Sequence, residues 1–375
     1  MSTDSASRPA QVEQAGEALR AGKLVLIPTE TFYAVAASAR TGVGALRDLV
    51  RSAHGADIGP FTWHAASRED ILAACGLMPP AHARAVDRLL PGPARLVFER
   101  DPAWIATVRE HLGVAAGVLD DGGSLAVRVP DHAAAQAVIA AAGEPMVAAR
   151  ADVLGFGRGA ILREDDRRAA QAAGVLVVTD GASPTGRPSA TVTLHADGTW
   201  TVVDRNEAGD WARRRMARVV LFVCTGNTCR SPMAQALARH LWPAMANRPE
   251  RSAGIPVMFE SAGLAAGEGG PMTDEAGEAL RALGVGFDPH ASRPLDRRDA
   301  EEAEIIFAMT RSHLAALQRL GPGVAAKARL LDPDGDDVPD PIGQGSAVYR
   351  HTAERLRTFV ERRLRELDDP PGAAP

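Results

Sequence analysis

Residues 217–241 have the sequence ARVVLFVCTGNTCRSPMAQALARHL, and this stretch decides the fold of the second half of the chain. Its apolar, β-branched run from Val219 to Val223 predicts a buried parallel strand. Pro232 stands where a helix prefers to begin its first turn, and an alanine-rich segment follows it. A strand, a short polar loop and a helix in this order predict an oxyanion-binding loop at the N-terminal end of the helix.

The side chains of this loop predict a nucleophile that attacks phosphorus. Cys224 stands at the base of the loop and faces a helix dipole, so we expect a reactive thiolate there. Arg230 supplies a planar guanidinium that holds two phosphate oxygens at once. Ser231 is expected to hydrogen-bond the thiolate, and Asn227 to adopt a left-handed turn. The residues expected to bind phosphate are Thr225, Gly226, Asn227, Thr228, Cys229 and Ser231.

The string from Val223 to Pro232 resembles the nucleophile loop of the low-molecular-weight protein tyrosine phosphatase family. The resemblance covers residues 217–368 and implies a Rossmann-like parallel sheet and hydrolysis through a cysteinyl-phosphate, with no metal and no cofactor. Its other landmarks are Ser261-Ala262-Gly263, His290 with Ser292 and Arg293, the strand Ile305–Met309 followed by Thr310, Asp340-Pro341-Ile342-Gly343, and a closing helix from about Ser346 to Leu367.

The resemblance assigns a role to each catalytic residue. Cys224 attacks phosphorus, while the loop amides and Arg230 stabilise the equatorial oxygens of the transition state. Asp340 protonates the leaving group and then deprotonates the hydrolytic water. Pro341 and the spacing to the last helix favour Asp340 over its acidic neighbours. These neighbours are Asp332, Asp334, Asp336 and Asp337.

The substrate is expected to be a phosphorylated protein, with phosphoarginine favoured over phosphotyrosine. Thr228 is the residue type that protein arginine phosphatases resembling this family place in the loop, and its hydroxyl can hydrogen-bond a guanidinium. The chain has two tyrosines, so aromatic walls for a phosphotyrosine ring are scarce. Ile342 weighs the other way, because arginine phosphatases also tend to carry an aromatic residue near this position.

The three cysteines of the chain argue against one branch of this fold and leave a second question open. Arsenate reductases use extra cysteines downstream of the loop, and no cysteine follows Cys229. Cys229 itself has two interpretations of equal weight. Either Cys229 forms a reversible disulfide with Cys224 under peroxide, or it is a small residue that lines the loop.

Length and composition predict two domains without a membrane span. The chain has 375 residues, of which 46% are hydrophobic. Few cysteines, no apolar leader and no long apolar stretch predict a cytoplasmic protein. A net charge of −5 argues against bulk attraction to nucleic acid, although a local groove can be basic. Domains are expected over residues 11–205 and 217–368, with an arginine-containing linker over 206–216.

Residues 11–205 resemble the YrdC-like family, whose active members make threonylcarbamoyl-AMP for tRNA modification. The resemblance implies a twisted mixed α/β sheet around a nucleotide-holding cavity. It rests on four motifs that occur in the family's order. These motifs are Pro28-Thr29-Glu30-Thr31-Phe32-Tyr33, Leu90-Pro91-Gly92-Pro93, Val127-Arg128-Val129-Pro130-Asp131-His132 and Pro188-Ser189-Ala190-Thr191-Val192.

The catalytic residues of that family are not matched. Ala53 and Gly55 stand where active members carry a Lys and an Arg for the triphosphate. The SAN triplet is replaced over Ala148-Ala149-Arg150-Ala151, with Arg51 and Arg150 as the candidates to compensate. We therefore expect a degenerate domain with a binding or regulatory role, for a nucleotide, peptide or RNA ligand. The alternative is a tRNA-modification protein, with L-threonylcarbamoyladenylate synthase activity on ATP, bicarbonate and threonine, fused to a phosphatase.

Overall fold

The computed structural model describes residues 8–56, 59–157, 161–181, 183, 185–245 and 256–368. The chain divides into two compact units, Met1–Met216 and Ala217–Pro375. Each unit has its own sheet and its own apolar cores. The predicted α/β class, a mixed sheet followed by a parallel sheet, is confirmed. Of the helices in the described ranges, none is long and apolar enough to cross a membrane.

The first unit is built on a mixed sheet whose described strands follow the order β7-β1-β2-β6-β3-β5-β4-β8-β9. Its strands are β1 (Val25–Ile27), β2 (Ala34–Ser38), β3 (Trp63–His64), β4 (Ala94–Glu99), β5 (Ser124–Arg128), β6 (Met146–Arg150), β7 (Leu176–Val177), β8 (Ala190–Leu194) and β9 (Trp200–Val202). Its helices are α1 (Arg8–Arg20), α2 (Val43–His54), α3 (Arg68–Cys75), α4 (Pro80–Leu89), α5 (Pro102–Leu112), α6 (Ala133–Ala142), α7 (Glu164–Ala172) and α8 (Glu207–Met216).

Helix α8 replaces most of the linker predicted over residues 206–216. Ala212 and Met216 are fully buried in the core of the first unit, and α8 packs on α4 and β8. Arg213, expected to be solvated, donates to the carbonyl oxygens of Val202 and Asp204. The segment folds because its few apolar residues share one helix face and its arginine binds backbone oxygens.

The second unit is built on a parallel sheet with the order β11-β10-β12-β13. The strand predicted from the apolar run is β10, and it lies between β11 and β12. The strands are β10 (Arg218–Cys224), β11 (Val257–Gly263), β12 (Ile305–Ala308) and β13 (Ala328–Leu330). The helices are α9 (Arg230–Met245), α10 (Asp274–Ala282), α11 (Arg297–Glu302), α12 (Arg311–Gln318), α13 (Pro322–Ala325) and α14 (Ser346–Asp368).

Candidate active site

Cys224 ends β10, and the alternation of that strand decides which face of the sheet its side chain joins. It belongs to the apolar cluster formed with α9 and α14, and it is 2% exposed. The strand is buried on both faces, as a central parallel strand requires. Val220 and Phe222 share the cluster of Cys224, and Val219, Leu221 and Val223 lie in the cluster of the opposite face.

Gly263, the last residue of β11, allows the loop after Cys224 to approach the neighbouring strand. A Cβ atom at Gly263 would lie 2.5 Å from the carbonyl oxygen of Thr225, so no side chain fits there. The next residues anchor the loop. The N–H of Leu264 donates to the carbonyl of Cys224 at 3.0 Å, and that of Ala265 donates to the carbonyl of Thr225 at 2.9 Å.

Asn227 holds the loop in the predicted left-handed turn, with φ of 55°. Its side-chain Nδ2 donates to the hydroxyls of Ser231 and Ser261, both at 2.9 Å, and its Oδ1 accepts from the backbone N–H of Arg293 at 3.0 Å. His290 Nε2 donates to the carbonyl oxygen of Asn227 at 2.7 Å, and burial lowers the pKa of this histidine. The side-chain amide of Asn227 is fixed in one orientation, because its nitrogen and its oxygen each have partners.

This orientation determines where the hydroxyl proton of Ser231 points. The Nδ2 group of Asn227 only donates, so Ser231 Oγ accepts from it and keeps its own proton for another acceptor. The nearer acceptor is the sulfur of Cys224 at 3.0 Å, whereas the carbonyl of Ala262 lies at 3.4 Å. The backbone N–H of Asn227 also donates to this sulfur, at 3.3 Å. Two donors thus point at the sulfur, which suits a nucleophilic thiolate.

Arg230 and Asp340 are brought together although 110 positions separate them. The guanidinium of Arg230 is 5% exposed, and its Nη2 donates to Asp340 Oδ2 at 2.5 Å. Its Nη1 donates to the carbonyl of Val338 at 3.1 Å. The Nε atom is buried and has no hydrogen-bond partner among the described residues. A buried donor without a partner is costly unless an oxyanion occupies the loop, so the geometry fits a phosphoryl group.

The four acidic neighbours of Asp340 are each bound to other groups. Among the described residues, the partners of these four carboxylates lie outside the nucleophile loop, whereas Asp340 contacts Arg230 directly. Asp332 pairs with Arg355 at 3.7 Å, Asp334 with Arg362 at 2.7 Å, Asp336 with Arg311 at 3.2 Å, and Asp337 accepts from the N–H of Arg311 at 2.8 Å.

Cys229 points into the core of the second unit. Its sulfur lies 3.2 Å from the hydroxyl of Tyr349 and 3.6 Å from that of Thr273. Burial, followed by this contact with Cys229, raises the pKa of Tyr349 to about 12. These contacts favour the loop-lining interpretation of Cys229 over the disulfide.

The side chains at the mouth of the loop are aliphatic or hydroxylic. Thr228 is partly exposed, and among the described residues its Oγ1 makes one weak contact, to Cys229 Sγ at 3.6 Å. Ile342, two residues after Asp340, is 62% exposed. Tyr349 is buried and cannot form an aromatic wall. The hydroxyl of Thr228 is therefore available to a bound substrate. In the described part of this unit, no tyrosine side chain is available to it.

The first unit contains a separate cavity of about 270 Å³, which residues from three of its four motifs line. Burial, followed by the charge of Arg128, lowers the pKa of His64 to about 3, so this lining histidine is neutral. Arg128 pairs with the buried Glu30, and Arg95, which donates to Thr62 at 2.9 Å, has no acidic partner among the described residues. The described lining residues are Thr29, Thr31, Phe32, Ala34, Thr62, His64, Arg95, Arg128, Ala148, Ala149, Arg150, Pro188, Ser189 and Thr191.

The two candidates to replace the missing cations differ in position. Arg150 lines the cavity, where it stacks 4.0 Å from the ring of Phe32 and pairs with Asp152. Arg51 is exposed, pairs with Asp48 at 3.1 Å and does not line the cavity. The substituted position Gly55 is the left-handed C-cap of α2, with φ of 72°. Two further residues of the aligned stretch, Asp57 and Ile58, lie outside the described residues.

Three site residues were not found from the sequence. His64 and Arg95 lie beside the motifs of the first unit. The available signal for Arg95 was its place at the start of the strand that follows the Pro-Gly-Pro turn. His313 contacts Thr225 of the loop at 2.8 Å, and its only signal was its place after the strand that ends at Met309.

Comparison with known proteins identifies both units. Residues 219–370 match the family described as Low molecular weight phosphotyrosine protein phosphatase, and residues 17–205 match the family described as Telomere recombination. A protein-arginine-phosphatase of Bacillus subtilis is 34% identical over 152 residues, which are 40% of this chain and 95% of the relative. A low molecular weight protein-tyrosine-phosphatase of Streptomyces coelicolor is 42% identical over 147 residues, 36% of this chain and 85% of the relative. The solved YwlE arginine phosphatase from Geobacillus stearothermophilus is 32% identical, covering 40% of this chain and 92% of its own, with a TM-score of 0.35.

Proposed function

Since the chain belongs to the low molecular weight phosphotyrosine protein phosphatase family through residues 219–370, and to the Telomere recombination, or YrdC-like, family through residues 17–205, we propose that it is a cysteine-dependent phosphatase of phosphoarginine in proteins. Membership of the first family makes it a hydrolase. One observation carries the mechanism: the sulfur of Cys224 receives hydrogen bonds from Ser231 and Asn227, and the buried Nε of Arg230 has no hydrogen-bond partner in the described part of the chain.

The reaction has two displacements. The thiolate of Cys224 attacks phosphorus and the P–N bond breaks, while Asp340 gives its proton to the leaving guanidine nitrogen. Asp340 then takes a proton from a water molecule that attacks the cysteinyl-phosphate, and the P–S bond breaks to release phosphate. Throughout, Arg230 and the loop amides bind the equatorial oxygens. For a phosphotyrosine substrate, the same steps break a P–O bond.

Thr228 supports phosphoarginine as the preferred substrate. Its Oγ1 has one weak contact, so it can accept from a guanidinium N–H next to the scissile bond. A site that hydrogen-bonds its substrate discriminates more strongly than an apolar site does. The similarity to a protein-arginine-phosphatase agrees with this preference, and the similarity to protein-tyrosine-phosphatases keeps phosphotyrosine as the second candidate.

The experiment that tests this proposal compares kcat/KM for phosphoarginine and phosphotyrosine peptides. We expect the unmodified protein to prefer phosphoarginine and Thr228→Ile to reverse the preference. Thr228→Ser keeps the hydroxyl and serves as the matched control, and Cys224→Ser is expected to be inactive on both substrates. Equal or faster phosphotyrosine hydrolysis by the unmodified protein contradicts the substrate assignment. Turnover by Cys224→Ser contradicts the mechanism.

The YrdC-like unit is proposed to bind a ligand rather than to catalyse. Its cavity retains two arginines that pair with carboxylates and a third, Arg95, without an acidic partner among the described residues. This arrangement supports an anionic ligand, and the candidates are a nucleotide and an RNA phosphate. The three cysteines are free thiols, and this agrees with the proposal that the protein functions in the cytoplasm, which is a reducing compartment.

A further inference from the structure

His313 lies in the first turn of the second unit's helix α12 and reaches the nucleophile loop from the side of β12. The residue is 6% exposed, and both ring nitrogens have partners. Its Nε2 lies 2.8 Å from Oγ1 of Thr225, the residue that follows the nucleophile. Its Nδ1 lies 2.9 Å from Oγ1 of Thr310, which caps the same helix.

The imidazole is neutral when it makes these two contacts. Burial lowers the pKa of His313, and the charge of Arg230 lowers it further, against the opposing effects of Asp340 and Asp337. A neutral ring has one donor and one acceptor, so it can bind two hydroxyl groups in either tautomer. Hydroxyls at both ends satisfy the ring completely.

The contact completes a clamp around the first peptide of the loop. On the β11 side, Leu264 and Ala265 bind the carbonyl oxygens of Cys224 and Thr225. On the β12 side, His313 binds the side chain of Thr225. Because β10 lies between β11 and β12, the loop is held from both directions. Among the hydrogen bonds of the described residues, the one from His313 is the contact that Thr225 receives from the β12 side.

We propose that His313 is a positioning residue, which fixes the Thr225 side chain and thereby orients the first peptide of the phosphate loop for attack by Cys224. The proposal rests on the phosphatase function proposed above. The ring nitrogens of His313 contact the hydroxyls of Thr225 and Thr310 rather than the sulfur of Cys224. His313 acts by keeping the loop amides pre-arranged around the transition-state oxyanion.

The test uses the full chain and substitutions that separate the two ring nitrogens. His313→Gln extends an amide to the position of Nε2 and keeps a partner for Thr225. His313→Asn reaches only the position of Nδ1, and His313→Leu removes both contacts. We expect His313→Gln to keep most of the kcat for p-nitrophenyl phosphate. His313→Asn and His313→Leu should lose about tenfold, the usual worth of one hydrogen bond, with KM little changed. Orthovanadate should bind more weakly by a similar factor.

A double substitution shows whether His313 acts through Thr225. Thr225 is exposed, and valine has nearly the same shape as threonine. Thr225→Val should therefore show the same loss of kcat as His313→Leu. The double variant Thr225→Val/His313→Leu should be no slower than either single variant. If His313→Leu does not fold, as judged by its thermal midpoint, Thr225→Val and His313→Gln still decide the question.

The outcomes separate this inference from the proposed function. Full activity of Thr225→Val, or additive losses in the double variant, would overturn the positioning role alone. An unmodified protein that hydrolyses neither p-nitrophenyl phosphate nor the phosphopeptides overturns the phosphatase function and the inference with it.

Discussion

At the residue scale, Asn227 controls the nucleophile through the two serines that its amide contacts. Ser231 accepts from Asn227 and donates to the sulfur of Cys224, whereas Ser261 accepts from Asn227 and donates to Gln235 at 2.6 Å. The two serines therefore share one partner and differ in whether they reach the sulfur. This difference gives a matched pair of substitutions.

Ser231→Ala should slow catalysis more than Ser261→Ala does. Loss of a hydrogen bond to an ionised group is worth about 1.5–3 kcal/mol, so kcat should fall by about tenfold or more in Ser231→Ala. Ser261→Ala removes a bond of Asn227 without touching the sulfur, and its kcat should fall less at a similar loss of thermal stability. The measurements are kcat with p-nitrophenyl phosphate and the thermal midpoint. Equal losses of kcat in the two variants would show that the hydroxyl at the sulfur has no special role.

Asp340→Asn should lower kcat by about 10²–10⁴, because a positioned general acid contributes that much. The loss should be smallest for nitrophenol, a leaving group that needs little protonation, and larger for poorer leaving groups. Asp337→Asn is the control, since Asp337 binds the N–H of Arg311 rather than Arg230. A greater loss in Asp337→Asn than in Asp340→Asn moves the acid role to Asp337.

Residues whose partners are local were predictable, and residues whose partners are distant were not. Cys224, Asn227, Arg230 and Ser231 lie within one stretch, so the order of strand, polar loop and helix together with these side chains predicted a shared anion site. Asp340 was chosen among its neighbours only through the family resemblance, because its contact with Arg230 spans 110 positions. His313 has its loop partner 88 positions away, and the sequence contains no pattern that links the two.

At the element scale, the central strand was predictable from its continuous apolar run, and the last helix was predictable from the family resemblance. The predicted strand Val219–Val223 lies within β10, and the predicted helix from about Ser346 to Leu367 is α14. Helix α8 escaped prediction because half of its residues are charged. Its burial rests on Gly209, Ala212 and Met216, too few residues to show a period.

Glycine substitutions test whether α8 is packed as the structure describes. In an exposed helix or linker, Gly→Ala is neutral or stabilising, by up to about 1 kcal/mol. Gly209→Ala should instead destabilise the protein, because its Cβ would lie 2.1 Å from the carbonyl oxygen of Asp204. Gly44→Ala in α2 is the control, since a Cβ there meets nothing within 4 Å and should raise stability. Thermal or denaturant unfolding measures both effects. A rise in stability for Gly209→Ala would return this segment to the predicted linker.

At the scale of the whole molecule, length and motif order predicted two units, and family resemblance predicted their folds. The chemistry of the first unit was less predictable, because its cavity gathers residues from several strands. Glu30, Arg95 and Arg128 come from three separate segments, and only the structure shows which charges neutralise each other. Motifs that specify a sheet are local, whereas the net charge of a cavity depends on pairs of distant residues.

The charge balance of this cavity predicts that the first unit does not make threonylcarbamoyl-AMP. Arg128 is neutralised by Glu30 and Arg150 by Asp152, and Ala53 and Gly55 contribute no charge. Arg95 is then the one lining arginine without an acidic partner among the described residues, and a single cation compensates a triphosphate poorly. We expect the full chain with Cys224→Ser, which excludes phosphatase turnover, to release no pyrophosphate from ATP beyond a blank without threonine and bicarbonate. Should pyrophosphate appear, Arg128→Gln must abolish it and the exposed Arg51→Gln must not, if the cavity is its source. Release that needs both threonine and bicarbonate and disappears in Arg128→Gln would establish the synthase activity and overturn the binding role.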